Sequence, residues 1–471
     1  MKLHNTLTRS IDQFTPLNNN TVTLYSCGPT VYDNLTVGNW TSYIRWDTLS
    51  RAIRASGYSL DWYMNVTDVG HLVSDGDEGE DKLEKGARRE GKTAWQVAEK
   101  YTDDFIKGLQ ALNIDFDLRH LVKATDHINE QIELIKKLEA NGHTYVIDDG
   151  VYFDSTTFAN YGKMARLDLE GQQAGARVDV GQKKHASDFA LWKFSPKDQT
   201  RDMEWESPWG KGFPGWHIEC SAMSMKYLGE TIDIHTGGID HIPVHHTNEI
   251  AQSEAATGQE FVRFWLHGNF LKVDGQKISK SLNNGYTLTD LVEKGFSPLD
   301  FKMLVLQSHY RTEANFTFEA LEAAKVRLKS YQTMVDYAMQ PTLNYSSTNT
   351  AAIFNAYKDQ LLTAVQNDLD TPRAVAILSE LESTILSSNA TFTDQEALLA
   401  YSELLRFVDV ILGLKLSSRE DIDIDQKQLI QKRELARQNK DWAKSDELRD
   451  QLAADGIEIN DTPNGARWYR S

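Results

Sequence analysis

Long apolar runs are missing from this 471-residue sequence. No stretch approaches the roughly 18 apolar residues that a membrane-crossing helix needs, so no such helix is expected. The opening MKLHNTLTRSIDQF has no apolar core of the kind a signal peptide carries, and the expectation is a cytoplasmic chain. Basic charge is also short: 50 Lys and Arg against 68 Asp and Glu leave a formal net charge of −18. That argues against a protein that coats nucleic acid through bulk charge, although local basic patches suffice to hold one RNA. Cysteine is the scarcest of all, with Cys27 and Cys220 only. They leave open a long-range disulfide, two inert buried thiols, or thiols kept for metal or chemistry. Internal repeats and low-complexity tracts are absent as well.

What is present divides into about three or four domains by length. TVTLYSC reads as a strand broken by GPT, Trp40 to Ser56 as a helix stopped by Gly57, and LDWYMNV as a second strand. This βαβ unit predicts an α/β fold with a Rossmann-like parallel sheet and chemistry at the strand C-terminal ends. The expected divisions are 1–118 for the first half of that domain, 119–208 for an insertion and 209–268 for the second half. Residues 269–316 follow as a loop-bearing region, 317–415 as a helical bundle and 424–471 as a small C-terminal domain. Leu321, Leu328 and Val335 share one face of the bundle's first helix, and PTLNYSSTNT interrupts it as a loop. A later helix opens at DLDTPRA with Thr371 as cap and Pro372 in the first turn. After the acidic linker SSREDIDID, one basic helix is expected from Lys427 to Arg449.

Three clusters can carry chemistry. In the first, CGPTVYD from Cys27 is followed by Thr36-Val37-Gly38-Asn39 in the first strand-to-helix turn, where backbone N–H groups can face a phosphate; many tight turns look the same. The second joins GWHIEC, HTGGID and HHTNE. His245 and Glu249, four apart, share a helix face and with Cys27 and Cys220 make a donor set that tetrahedral zinc accepts. A helix-surface His/Glu contact has the same spacing. The third is Lys277-Ile278-Ser279-Lys280-Ser281, either a clamp for a polyphosphate or a solvated basic loop.

In this order the clusters resemble the class I aminoacyl-tRNA synthetases, and closely the cysteinyl-tRNA synthetases. Thr36 to Asn39 stand where that family has its HIGH signature, and KISKS where it has KMSKS. CGPTVYD, GWHIECSAM, HTGGID, HHTNEIAQSEAATG, DLDTPRA and KDWAKSDELRDQLAADGIEINDTPNG are similar to family motifs along essentially the whole chain. The resemblance implies ATP-dependent activation of L-cysteine to cysteinyl-adenylate, then transfer to tRNA(Cys). It implies one zinc ion held by Cys27, Cys220, His245 and Glu249, with the substrate thiolate as incoming ligand and ATP entering with magnesium. Trp216 and Thr67 stand at the cysteine-binding positions, and Gly38, Gly237, Gly238, Asp240 and Lys280 at those for ATP. Lys277, Lys280, Thr36 and Asn39 stand at the catalytic ones. Arg437, Trp442, Asp446 and Asp461 match positions used on anticodon bases, where Arg and carboxylates read base edges and Trp stacks on an unpaired base. Trp442 as a core anchor is the competing reading. A monomer is expected.

The sequence departs from the family pattern at Thr36, which replaces the first histidine of HIGH and cannot carry charge, and mildly at Ile278 for Met. The acidic insert around Asp75 to Asp81 is longer than expected and has no assigned role. Two alternatives stay in view: a cysteine-activating ligase with a non-tRNA acceptor such as an amino sugar, and a catalytically silent RNA-binding paralogue.

Overall fold

The computed structural model describes residues 1–70, 81–166, 182–196, 201–340, 350–387, 395–462 and 465–470. The insert near 75–81 apart from Asp81, and the PTLNYSSTNT loop as far as 349, lie outside the described residues. The chain forms two compact units, Met1–Glu293 with Tyr310–Asn315, and Lys294–His309 with Phe316–Ser471.

The first unit is built on a five-stranded sheet. Its order is Val262–Gly268, Ile232–Gly238, Thr21–Ser26, Ser59–Val66, Leu121–Lys123, every pair parallel. Val22, Leu24, Met64, Val66, Ile232 and Ile234 are buried on one face of their strands, and Tyr25, Asn65, Asp233 and His235 on the other, so the sheet is covered on both faces, as parallel sheets require. Strand order reverses between Thr21–Ser26 and Ile232–Gly238, and that switch point is where an open α/β sheet leaves a crevice beyond its strand ends. Cys27 follows one of these two strands and Gly237–Gly238 ends the other, with the Cys27 N–H donating to Thr236 O at 3.2 Å.

The helix Val37–Ala55 begins three residues earlier than the apolar spacing suggested, because Thr36 and Asn39 close its first turn. After Leu121–Lys123 and the helix Ile128–Ala140 comes an antiparallel sheet of Thr144–Ile147, Gly150–Phe153, Phe189–Phe194 and Gly212–Pro214. The chain then returns through the helix Trp216–Leu228 to the parallel sheet, and through the helix His245–Thr257 to its edge strand.

The second unit is helical, with Phe318–Ala338, Thr350–Gln366, Thr371–Ser387 and Gln395–Leu412 before the C-terminal elements. Leu321, Leu328 and Val335 are buried on one face, as their spacing predicts. Two local expectations are corrected. Asp370 rather than Thr371 caps the DLDTPRA helix, accepting from Arg373 N at 3.0 Å. The single basic helix is two, Ile424–Gln438 and Trp442–Ala454. Lys440 turns left-handed at φ 59° and Asp441 caps the second helix by accepting from Lys444 N, which ends the first one. The hairpin Ile457–Thr462 with Gly465–Arg470 closes the chain. Among the described residues no helix is long and apolar enough to cross a membrane.

Candidate functional site

A cavity of about 600 Å³ opens at the switch point, lined among others by Cys27, Thr67, Trp216, Gly237, His245 and Lys277. The close turn after the first strand depends on Gly28. A Cβ there would stand 1.6 Å from the Asn65 carbonyl oxygen, and the Gly28 N–H donates instead to Asn65 Oδ1 at 2.8 Å. The same Asn65 donates to Thr67 Oγ1 at 3.0 Å and so fixes that hydroxyl at the cavity wall.

At one end of the cavity the two thiols meet. Cys27, Cys220, His245 and Glu249 bring one ligand atom each to within 4.8 Å of one another. This is close to the roughly 3.3–3.8 Å spacing that four tetrahedral donors with bonds of about 2.0–2.3 Å require. Glu249 Oε1 is buried, stands 2.9 Å from His245 Nε2 and has no well-formed hydrogen bond, while Oε2 accepts from His235. Burial raises thiol pKa values, but at Cys27 the Cys220 thiol and the imidazoles of His246, His241 and His245 overcome it and hold the group well below its usual range. Cys220, which hydrogen-bonds to Cys27 and is itself buried, is pushed well above. Burial would also raise Glu249, yet His235 and His245 hold it at about 2. A thiolate and a carboxylate so close together suit a soft divalent cation, and two sulfurs, one imidazole and one carboxylate fit zinc.

The sequence reading missed His235, His241 and His246, which also crowd Cys27: His241 and His246 make one further foursome with Cys27 and His245, and His235 and His246 another with Cys27 and Glu249. Cys27 Sγ lies 3.3 Å from His246 Nε2. The doublet at 245–246 and the histidines flanking GGID were the available signal; only the foursome with Cys220 uses both thiols. Gly237 is tight against this group, since a Cβ would come 2.6 Å from His246 Cε1. A Cβ on Gly238 would come 2.2 Å from Asp240 Oδ1. Trp216 packs its ring 4.5 Å from that of His245 and walls the cavity beside the thiols.

At the other end the two signature segments touch. Ile278 covers Gly38 so closely that a Cβ on the glycine would meet Ile278 Cδ1 at 2.8 Å. Val37 N donates to Tyr286 O at 2.7 Å, beyond the KISKS loop. Thr36 turns its hydroxyl to Asn39 Oδ1 at 3.0 Å and completes the helix cap. Lys277 lines the cavity; Lys280 donates to Asp33 Oδ2 at 2.8 Å, and Asp33 lines it.

In the C-terminal elements Arg437 Nη1 pairs with Asp461 Oδ2 at 2.9 Å and its guanidinium stands 5.8 Å from the centre of the Trp442 ring. Trp442 is 57% exposed, so it is not the core anchor; Trp468, fully buried, is. Asp461 also takes a two-bond contact from buried Arg433, which the sequence reading missed. Asp446 pairs with Arg449 at 3.3 Å.

Residues 13–326 match the family described as tRNA synthetases class I (C) catalytic domain, and 419–468 the Cysteinyl-tRNA ligase anticodon binding domain. The chain is 44% identical to cysteine--tRNA ligase 1 of Burkholderia lata, covering 100% of this chain and 97% of that one. It is 42% identical to the cysteine--tRNA ligase of Treponema denticola, covering 100% and 99%. Among solved structures, a Mycobacterium tuberculosis methionyl-tRNA synthetase in complex with methionyl-adenylate shares the fold at TM-score 0.61 and 15% identity, over 85% of this chain and 93% of that one. On the catalytic-domain match and the full-length identity, the chain belongs to the cysteinyl-tRNA synthetases of class I.

Proposed function

We propose that this chain joins L-cysteine to tRNA(Cys) at the expense of ATP. A cysteine carboxylate oxygen attacks the α-phosphorus of ATP, and pyrophosphate leaves as cysteinyl-adenylate forms. The terminal ribose hydroxyl of tRNA(Cys) then attacks the activated carbonyl carbon, and AMP leaves. The observation that carries this reading is the meeting of both thiols with His245 and Glu249 at the wall of a cavity that Gly38, Gly237 and Lys277 also line.

Cys27, Cys220, His245 and Glu249 hold one zinc ion per chain. When bound, zinc supplies a soft Lewis acid that prefers thiolate to hydroxyl, so cysteine is separated from serine without a second, editing site. Trp216 walls the amino-acid end, and Thr67, set by Asn65, takes the substrate's amino group. ATP, entering with magnesium, lies against Gly38, Gly237, Gly238 and Asp240. Lys277 and Lys280 hold its phosphates as charge develops. Thr36 and Asn39 act through the helix cap, which keeps the first N–H groups of Val37–Ala55 oriented. Arg437, Trp442, Asp446 and Asp461 serve the anticodon, with Asp461 aiming Arg437. We place the enzyme in the cytoplasm, where tRNA and ATP meet, and take it to work as a monomer. A non-tRNA acceptor has no comparable support, because residues 419–468 match an anticodon-binding domain; a silent paralogue has none, because the Cys27, Cys220, His245 and Glu249 set stays together and Gly237, Gly238, Asp240 and Lys277 still line the cavity beside it.

The test is charging of total tRNA with labelled cysteine, before and after metal chelation. Charging that is lost on chelation and restored by zinc supports the reading. No charging by folded, zinc-loaded protein overturns it.

A further inference from the structure

The helix Phe318–Ala338 carries a fully buried carboxylate, Asp336, in its last turn. Its partners come from the two extremes of the C-terminal module. Arg419, at the module's beginning, donates Nε to Asp336 Oδ1 at 2.5 Å and Nη2 to Oδ2 at 2.8 Å. Arg470, at its end, donates its backbone N–H to Oδ2 at 3.1 Å and Nη1 to Oδ1 at 3.2 Å. Four donors thus converge on one carboxylate from outside the helix. Two residues after the helix, Gln340 exchanges a pair of hydrogen bonds with the Trp468 backbone: Nε2 donates to Trp468 O at 3.0 Å and Oε1 accepts from Trp468 N at 2.9 Å. Met339 packs against the module's own core of Ile430, Leu452, Ile457 and Trp468.

A buried carboxylate shared by two guanidiniums is costly to remove because both lose the acceptor that neutralises them. Tying a module at both ends to one point removes its freedom to swing, whereas a single tether leaves it free. We infer that Asp336 is a positioning residue for tRNA selection: it locks the anticodon-binding module onto the bundle helix, so that Arg437 and Trp442 are held at a fixed place before tRNA arrives. The cost of ordering is then met in folding rather than at each encounter, which shows as a lower KM for tRNA. This rests on the proposed tRNA charging activity.

The experiment compares Asp336→Asn with the parent enzyme on full-length tRNA(Cys), on an acceptor-stem minihelix without an anticodon, and in cysteine-dependent pyrophosphate exchange. The expected result is a kcat/KM for full tRNA at least tenfold lower, mainly through KM, with minihelix charging and exchange within twofold. Arg419→Gln gives a loss of the same kind from a partly exposed position and serves if the first variant does not fold. The double variant is no worse than the poorer single one, because both remove the same clamp. Full-tRNA charging within twofold of the parent, or an equal loss on the minihelix, overturns the inference. Parent enzyme that charges neither RNA would instead overturn the proposed activity.

Discussion

Lys280 Nζ donates to Asp33 Oδ2 at 2.8 Å, so the KISKS lysine is paired with the CGPTVYD turn. Burial raises Asp33, but Lys280 and Arg89 outweigh it and hold the carboxyl below its ordinary value. The lysine side chain is 79% exposed, and an ion pair so open is worth at most about 1 kcal/mol. Phosphates can therefore displace Asp33 at little cost.

Lys280→Ala is expected to lower cysteine-dependent pyrophosphate exchange about 100-fold or more, the scale set by removing one preorganised charge donor. Asp33→Asn is expected to change it by only a few-fold, with a lower KM for ATP because the lysine is released. A larger loss for Asp33→Asn than for Lys280→Ala would show that Asp33 has a role beyond holding the lysine.

Gly28→Ala should be among the most damaging single-methyl changes. The new Cβ meets backbone, not a flexible side chain, and the turn between Ser26 and Pro29 must shift. A cost of about 3 kcal/mol is expected, at the upper end for overpacking. Gly57→Ala, at φ +90° with nothing within 4 Å, is expected to cost only about 1–2 kcal/mol of backbone strain. Urea unfolding of both variants measures the difference.

Burial raises the Asp68 carboxyl to about 6, against the bonds it accepts from Thr125. Its folded pKa thus lies above its unfolded value near 3.8. Folded protein binds the extra proton between these limits, so the group's ionisation lowers stability as pH rises from about 4 to about 6 and the penalty is complete above that. Two units correspond to about 3 kcal/mol. Asp68→Asn, which keeps the shape without the charge, is expected to be more stable than the parent at pH 7.5, and the gap should close toward pH 4. A gap independent of pH across denaturation midpoints would contradict this.

Trp442 and Trp468 should separate function from stability. Trp442→Ala, at an exposed position, is expected to change unfolding free energy by less than about 1 kcal/mol while weakening tRNA charging and sparing cysteine activation. Trp468→Ala, fully buried, is expected to cost about 3–5 kcal/mol. Thermal unfolding alongside the two activity assays distinguishes them.

The sequence by itself determined the parallel-sheet class, the family and the identity of the four candidate metal ligands. Strand and helix periodicity is local, and motif order survives along the chain whatever the fold does between motifs. It did not determine that three further histidines crowd Cys27, because their approach depends on strand Ile232–Gly238 lying beside strand Thr21–Ser26, some 210 residues away in sequence. It did not reveal the break at Lys440, where a left-handed residue and the Asp441 cap override a continuous helical pattern. Nor did it show that Asp461 is gripped by Arg433, that Thr36 spends its hydroxyl on Asn39, or that Asp336 gathers both ends of the C-terminal module. These are pairings between charges and hydrogen-bonding groups whose partners are chosen by burial, and burial exists only once the chain has folded.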